Sequence, residues 1–229
     1  EEKRLARKSF YPFNVKEKVI GYGIAGNPYK KDIKNNLFLK RYPNLKEKKI
    51  IIFFGRIHPK KGVDILINVF NESVKKNSKL HLVIAGPYEK NYIQTLKNLI
   101  KKSVKNSVTW TGPLYNKYKW DLYNCCHLFC LPSHQENFGI SVAEAMSSQK
   151  PVLITNKVNI YKNIKKYNAG YVSDDNLKGI TSSFNKVLKL NNSAYKKMCN
   201  NSFKCFRENF NSKYSSQNLI NFLKKQLKL

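Results

Sequence analysis

From residue 50 onward the chain alternates short unbroken apolar runs with longer segments in which apolar residues recur every three to four positions. The unbroken runs are KIIIFFG (49–55), KLHLVIAG (79–86), SVTWTG (107–112), HLFCLPS (127–133), KPVLITN (150–156) and GYVSD (170–174). A short apolar run without alternation suits a strand buried on both faces, as in a parallel sheet. The segments KGVDILINVFNESVKK, NYIQTLKNLIKKS, NKYKWDLYNCC and FGISVAEAMSS lie between them and carry the helical period. After residue 175 the pattern is helical throughout, in DNLKGITSSFNKVLK, NSAYKKMCNNSFKCFRENF and SKYSSQNLINFLKKQL. Residues 1–45 are less regular, and VKEKVIGYGIAGNP predicts one strand followed by a Gly-rich turn.

Strands that alternate with helices specify an α/β fold, an open parallel sheet covered by helices on both faces. Its crossovers are expected to be right-handed. Ligands of such sheets bind beyond the carboxyl ends of the strands, where the strand order reverses. The loops after Phe54, Ala85, Trp110, Leu131 and Thr155 are therefore the places to look for chemistry.

Composition narrows the class. The 229 residues are 41% hydrophobic and 13% aromatic, which excludes a disordered chain. No apolar run approaches the roughly 20 residues that span a bilayer. The opening EEKRLARKSF has neither a hydrophobic signal core nor a starting Met, and predicts a piece of a longer protein. The net charge is +29, from 43 basic and 14 acidic residues. Such charge points to an anionic partner: nucleic acid, a membrane surface or a phosphorylated substrate. The lysines are spread along the whole chain beside abundant Asn, so compositional bias is the main source, and a basic face toward membrane phosphates is one consequence of it. No DNA- or RNA-binding motif accompanies the charge, and the 14 Tyr and 13 Phe fall mainly at core-like positions, so nucleic acid is not an expected partner.

Cys125, Cys126, Cys130, Cys199 and Cys205 form no CxxC pair and are odd in number, which argues against a disulfide framework or a zinc site. Free thiols in a reducing cytoplasm are the expected state.

Two loops carry candidate chemistry. GRIHPKKG (55–62) follows the first strong strand and places Arg56 and Lys61 near a helix start, where fixed cations and free N–H groups suit phosphate. It is neither a Walker loop nor GxGxxG, and alone it reads as a solvated basic turn. PSHQENFGISVAEAM (132–146) holds Glu136 and Glu144 around Gly139. Carboxylates eight positions apart stand about 12 Å apart along an ideal helix, too far to flank one atom. With Glu136 in the loop and Glu144 on the helix they can hold two ends of an extended ligand; alone they read as a helix-terminus charge and a surface charge.

Taken together, with VIAGP, TGPL and KPVLIT in order around them, these loops resemble the retaining glycosyltransferase family 4 of the GT-B fold. The resemblance covers residues 49–175 firmly and the terminal helices loosely. It implies a Rossmann-like donor-binding domain over residues 46–212, preceded in 1–45 by the end of a truncated N-terminal acceptor domain and followed in 213–229 by a helix that crosses back toward it. The implied function is transfer of a sugar, with retained configuration, from a nucleoside-diphosphate sugar to a glycan, lipid or other acceptor. The chain would supply the donor-binding half and be inactive or nearly so alone.

The resemblance also implies roles. Arg56 and Lys61 bind the donor diphosphate and offset charge on the leaving nucleotide without a metal or other cofactor. Glu136 lies beside the donor sugar, and these three are the candidate catalytic residues. Glu144 binds the ribose hydroxyls. Gly55, Asn137, Phe138, Gly139 and Ile140 approach the diphosphate and sugar, and Gly112 and Leu114 the nucleobase. On this reading Glu136 and Glu144 are not the acid/base pair of a hydrolase. Location is expected in the cytoplasm, with the inner face of a membrane as the place for a lipid-linked acceptor. A sugar-nucleotide epimerase built on the same half is the alternative. Two stretches depart from the family pattern: NKVNIYKNIKKYNAG stands where a Gly-Gly-x-x-Glu-like turn is common, and Gln149 where Gly is common.

Overall fold

The computed structural model describes residues 8, 20–29 and 32–227. Six parallel strands form one sheet: β1 (Lys49–Phe54), β2 (Leu80–Ala85), β3 (Val108–Gly112), β4 (Leu128–Leu131), β5 (Val152–Thr155) and β6 (Gly170–Ser173). Their order is β3-β2-β1-β4-β5-β6. All six apolar runs of the sequence are thus strands of one α/β, Rossmann-like sheet. β2, β4 and β5 are buried along their whole length, which is why their runs show no alternation.

Nine helices occur among the described residues: α1 (Leu37–Arg41), α2 (Val63–Lys76), α3 (Lys90–Leu99), α4 (Asn116–Cys125), α5 (Ile140–Ser147), α6 (Tyr161–Tyr167), α7 (Leu177–Leu188), α8 (Asn192–Asn209) and α9 (Ser212–Leu227). From β1 the chain steps outward to β3, then returns to pair β4 with the free side of β1 through Ile51↔Leu128 and Ile52↔Phe129. Right-handed crossovers then put α2 and α3 on one face and α4, α5 and α6 on the other. Packing agrees: α2 touches α3 and α7, α8 covers α5 and α6, and α1 lies on α4. The strand order reverses between β1 and β4, so their loops form the crevice in which such sheets bind ligands.

Two expectations are corrected. The helix predicted over NYIQTLKNLIKKS stops at Leu99, because Asn71 on α2 donates its amide to the Leu99 carbonyl (2.8 Å) and accepts the Lys101 N–H (3.3 Å). A 3-10 segment, Lys102–Ser107, then leads into β3. The strand predicted within VKEKVIGYGIAGNP lies partly outside the described residues; over 20–28 the backbone forms a single bridge, Ile24 to Asn211. There the Ile24 N–H donates to the Phe210 carbonyl (2.8 Å) and the Ser212 N–H to the Ile24 carbonyl (3.0 Å). Asn27 ties the same strap to Asn124 and Ser148 through its amide (2.9 Å each).

A candidate functional site between β1 and β4

The crevice begins with a close approach of two loops. After β1 the chain passes through Gly55 and Arg56 into a short turn, Pro59–Lys61, and Gly62 then opens α2 at φ 66°. The loop after β4 is bonded to this turn: the Ser133 hydroxyl donates to the Lys60 carbonyl (2.8 Å), as does the His134 N–H (2.8 Å). The contact turns Lys61 toward the β4 loop, where its ammonium meets Glu136 Oε2 in an ion pair that is mostly buried on both sides.

Glu136 is held by its backbone as well. Its N–H donates to the Lys157 carbonyl (3.1 Å) and its carbonyl accepts the Asn159 N–H (3.0 Å), making a bridge with Val158. The departure noted after β5 is therefore structural: NKVNI forms a rail that fixes Glu136. Val158 is buried beneath Gly139.

Gly139, at φ 73°, caps α5 with no side chain. The Val142 N–H already bonds to the Gly139 carbonyl (2.9 Å), whereas the Ile140 and Ser141 N–H groups have no partner among the described residues. Both residues line the pocket at the positive end of the helix dipole, an arrangement that attracts anions.

Glu144 lies one turn further along α5. Both of its oxygens are engaged from one face of α4: Oε1 accepts from the Lys119 ammonium (2.6 Å), and Oε2 from the Tyr123 hydroxyl (3.1 Å). Tyr123 is fully buried, and burial, with Glu144 next, pushes its phenol well above the usual range, so it remains a donor.

The resulting pocket is about 600 Å³, within the usual size of small-molecule sites. Gly55, Lys61, Glu136, Asn137, Phe138, Gly139, Ile140 and Glu144 line it, with Tyr22, Phe54, Lys119 and Ser141. Eight of the eleven residues singled out in the sequence thus meet in one place. Arg56, next to Gly55 in the chain, is exposed and is not among the residues that line the pocket; it has no ion-pair partner among the described residues. Gly112 and Leu114 lie outside the pocket lining; Leu114 packs into the core, which leaves only its backbone for a ligand.

Tyr22, Phe54, Lys119, Ser141 and the supporting Tyr123 went unnoticed in the sequence. Lys119 and Tyr123 were legible in principle: they are four positions apart on a predicted helix and so share a face. Tyr22 gave no such signal. It reaches the pocket from the strap by an edge-on contact with Phe138, 4.9 Å between ring centres.

Chemically, the pocket offers the Lys61 ammonium and two free backbone N–H groups for phosphate oxygens, and two carboxylates that accept from hydroxyls, with Lys119 already on Glu144. Over 212 residues the chain is 28% identical to the alpha-1,3/1,6-mannosyltransferase ALG2 of Dictyostelium discoideum, covering 84% of this chain and 49% of that protein. It is 31% identical over 116 residues to mannosylfructose-phosphate synthase of Agrobacterium fabrum, covering 48% of this chain and 26% of that one. The chain thus spans half or less of the length of these relatives. Among solved structures, a glycosyltransferase from Rickettsia africae superposes with a TM-score of 0.81 at 17% identity, over 99% of this chain and 62% of that one. Anabaena HepE, solved with UDP and glucose, gives 0.76 at 18% identity, over 89% of this chain and 55% of that one. These structures show that the fold is that of GT-B glycosyltransferases. The model of the family described as glycosyl transferases group 1 matches residues 36–204, most of the chain, and the chain belongs to that family.

Proposed function

We propose that the chain is the donor-binding half of a retaining glycosyltransferase of family 4 that moves a sugar from a nucleoside-diphosphate sugar to a glycan or lipid-linked acceptor. The carrying observation is that Lys61, the uncapped start of α5 and Glu144 share one pocket at the β1/β4 switch. In the donor-bound state the diphosphate lies against the Ile140 and Ser141 N–H groups and Lys61, with Arg56 closing from the loop after β1. The ribose hydroxyls donate to Glu144, and the sugar lies toward Glu136. As the bond from the anomeric carbon to the phosphate oxygen breaks, negative charge grows on the leaving nucleotide. Lys61, Arg56 and the helix start stabilise that charge, and no metal is needed for it.

The acceptor side belongs to a second domain. α9 leaves Leu219, Ile220, Leu223 and Leu227 exposed on one side, an apolar stripe for such a domain to cover. The work of the whole protein is assigned to the cytoplasm, at a membrane face where the acceptor is lipid-linked. Among the described residues no helix is long and apolar enough to cross a membrane.

Calorimetric titration with UDP-, GDP- and ADP-sugars tests the reading. UDP-glucose is the first probe, since Anabaena HepE was solved with UDP and glucose. Arg56→Ala, Lys61→Ala and Glu144→Ala should each weaken binding about tenfold or more, the size of one lost charge-assisted contact. Unchanged affinity in all three would mean the site is elsewhere. A full-length protein that epimerises the sugar without an acceptor would make the activity a different one.

A further inference from the structure

The pocket described above contains a cation that the family motifs do not account for. Four charged side chains line it: Lys61, Lys119, Glu136 and Glu144. Each carboxylate has its own ammonium, Lys61 on Glu136 and Lys119 on Glu144. The Lys119–Glu144 pair is not a solvated surface pair: the side chains are 23% and 12% exposed. Lys119 also lies over the Trp120 ring, 4.5 Å from its centre, which fixes where the ammonium sits. Remove Lys119, and two carboxylates face one ammonium in a pocket that must accept a diphosphate.

We infer that Lys119 is a donor-site residue whose ammonium cancels the charge of Glu144, so that a carboxylate can serve the nucleoside end of the pocket without repelling the diphosphate at the other end. The inference rests on the donor-binding reading of this pocket. Its geometry is consistent with a ribose at Glu144. Each carboxylate oxygen has two lone pairs, so Oε1 can accept from Lys119 and from a ribose hydroxyl together, while Tyr123 occupies Oε2. Lys119 thus stays in place when the nucleotide enters, and the pocket need not exchange one partner for the other. A merely structural role, tying α4 to α5, would affect every ligand alike or none.

The test compares ligands that share the nucleoside and differ in charge. Wild-type chain, Lys119→Met, Lys119→Arg, Glu144→Gln and the double variant Lys119→Met/Glu144→Gln are titrated, with NMR shifts as the readout, against UDP and uridine, GDP and guanosine, and ADP and adenosine. For the base that wild type binds, Lys119→Met should weaken the diphosphate about five- to tenfold, as expected for one unit charge acting over roughly 8 Å in a half-exposed pocket. It should change nucleoside affinity by less than about twofold on the same argument. Lys119→Arg should keep both affinities. In the double variant the ratio of diphosphate to nucleoside affinity should return to the wild-type value, although both ligands bind more weakly for want of the carboxylate. If Lys119→Met leaves that ratio unchanged, or the double variant does not restore it, the inference is wrong while the donor site stands. A wild-type chain that binds none of the three diphosphates overturns the donor site and this inference together.

Discussion

Gly62 and Pro132 approach so closely that a Cβ on Gly62 would stand 2.1 Å from the Pro132 carbonyl oxygen. The first belongs to the turn after β1 and the second to the end of β4, so this contact sets the width of the crevice. Backbone conformation adds a second reason for glycine, since φ at Gly62 is 66°. Lys61 precedes it directly and is aimed by it. Gly62→Ala should therefore destabilise the chain by about 3 kcal/mol or more, combining a left-handed penalty of about 1–2 kcal/mol with a backbone clash. Urea unfolding measures the loss. A variant as stable as wild type would show that the loops separate without cost.

Glu136 and Lys61 provide a separable prediction. Their ion pair means that Lys61 divides its charge between a carboxylate and any bound phosphate. Glu136→Ala frees the ammonium, so affinity for UDP should hold or rise. The extra affinity that UDP-glucose has over UDP should fall, because Glu136 stands on the sugar side. Calorimetry with both ligands decides the matter, and a variant that loses UDP and UDP-glucose affinity equally would place Glu136 against the nucleotide instead.

How much of this was legible beforehand depends on the kind of signal. Strand runs such as HLFCLPS and KPVLITN were visible because parallel strands buried on both faces leave no polar position in their middle. The α3 break at Leu99 was not, since it depends on the Asn71 side chain arriving from another helix. In the site, Gly55, Lys61, Glu136, Gly139 and Glu144 were found from ordered motifs, and the pocket assembles them. Tyr22 escaped because only the Ile24–Asn211 bridge, made across most of the chain, brings the strap to Phe138. The role of NKVNI escaped for a similar reason. Its contribution is two backbone hydrogen bonds to Glu136, which no side-chain pattern announces.

Gln149 offers a stability test away from the site. It holds φ 58°, a left-handed conformation that favours glycine, in the turn between α5 and β5. Its backbone N–H donates to the Met146 carbonyl (3.0 Å), a bond that any residue here retains. Gln149→Gly removes a left-handed penalty of about 1–2 kcal/mol and adds about 0.5–1 kcal/mol of unfolded-state entropy, for a net gain of roughly 0.5–1 kcal/mol. A rise of this size in urea stability, with nucleotide affinity unchanged, is the expected result. A loss of stability would mean that the Gln149 side chain contributes more than its backbone costs.

His81 is buried in β2 against the Thr109 hydroxyl (2.8 Å), and burial, with Lys48 next, pushes its imidazole down to about 4. His127, at the start of β4, stacks on the Tyr195 ring with centres 4.2 Å apart; burial, with Lys49 and Lys150 next, pushes it down to about 4 as well. An unfolded histidine titrates near 6.5. Between pH 6.5 and about 4 the unfolded chain therefore binds protons that the folded chain refuses. Stability should fall as pH falls through that window, by up to about 1.4 kcal/mol per pH unit for each histidine. Carboxylates such as Asp175, held low first by its hydrogen bond to His134, add their own loss only below the ordinary carboxylate range. Urea midpoints at pH 7, 6 and 5 isolate the histidine contribution. The double variant His81→Gln/His127→Gln should show a clearly flatter dependence across those three points, whatever its absolute stability. An equally steep dependence in the double variant would assign the acid sensitivity to other groups.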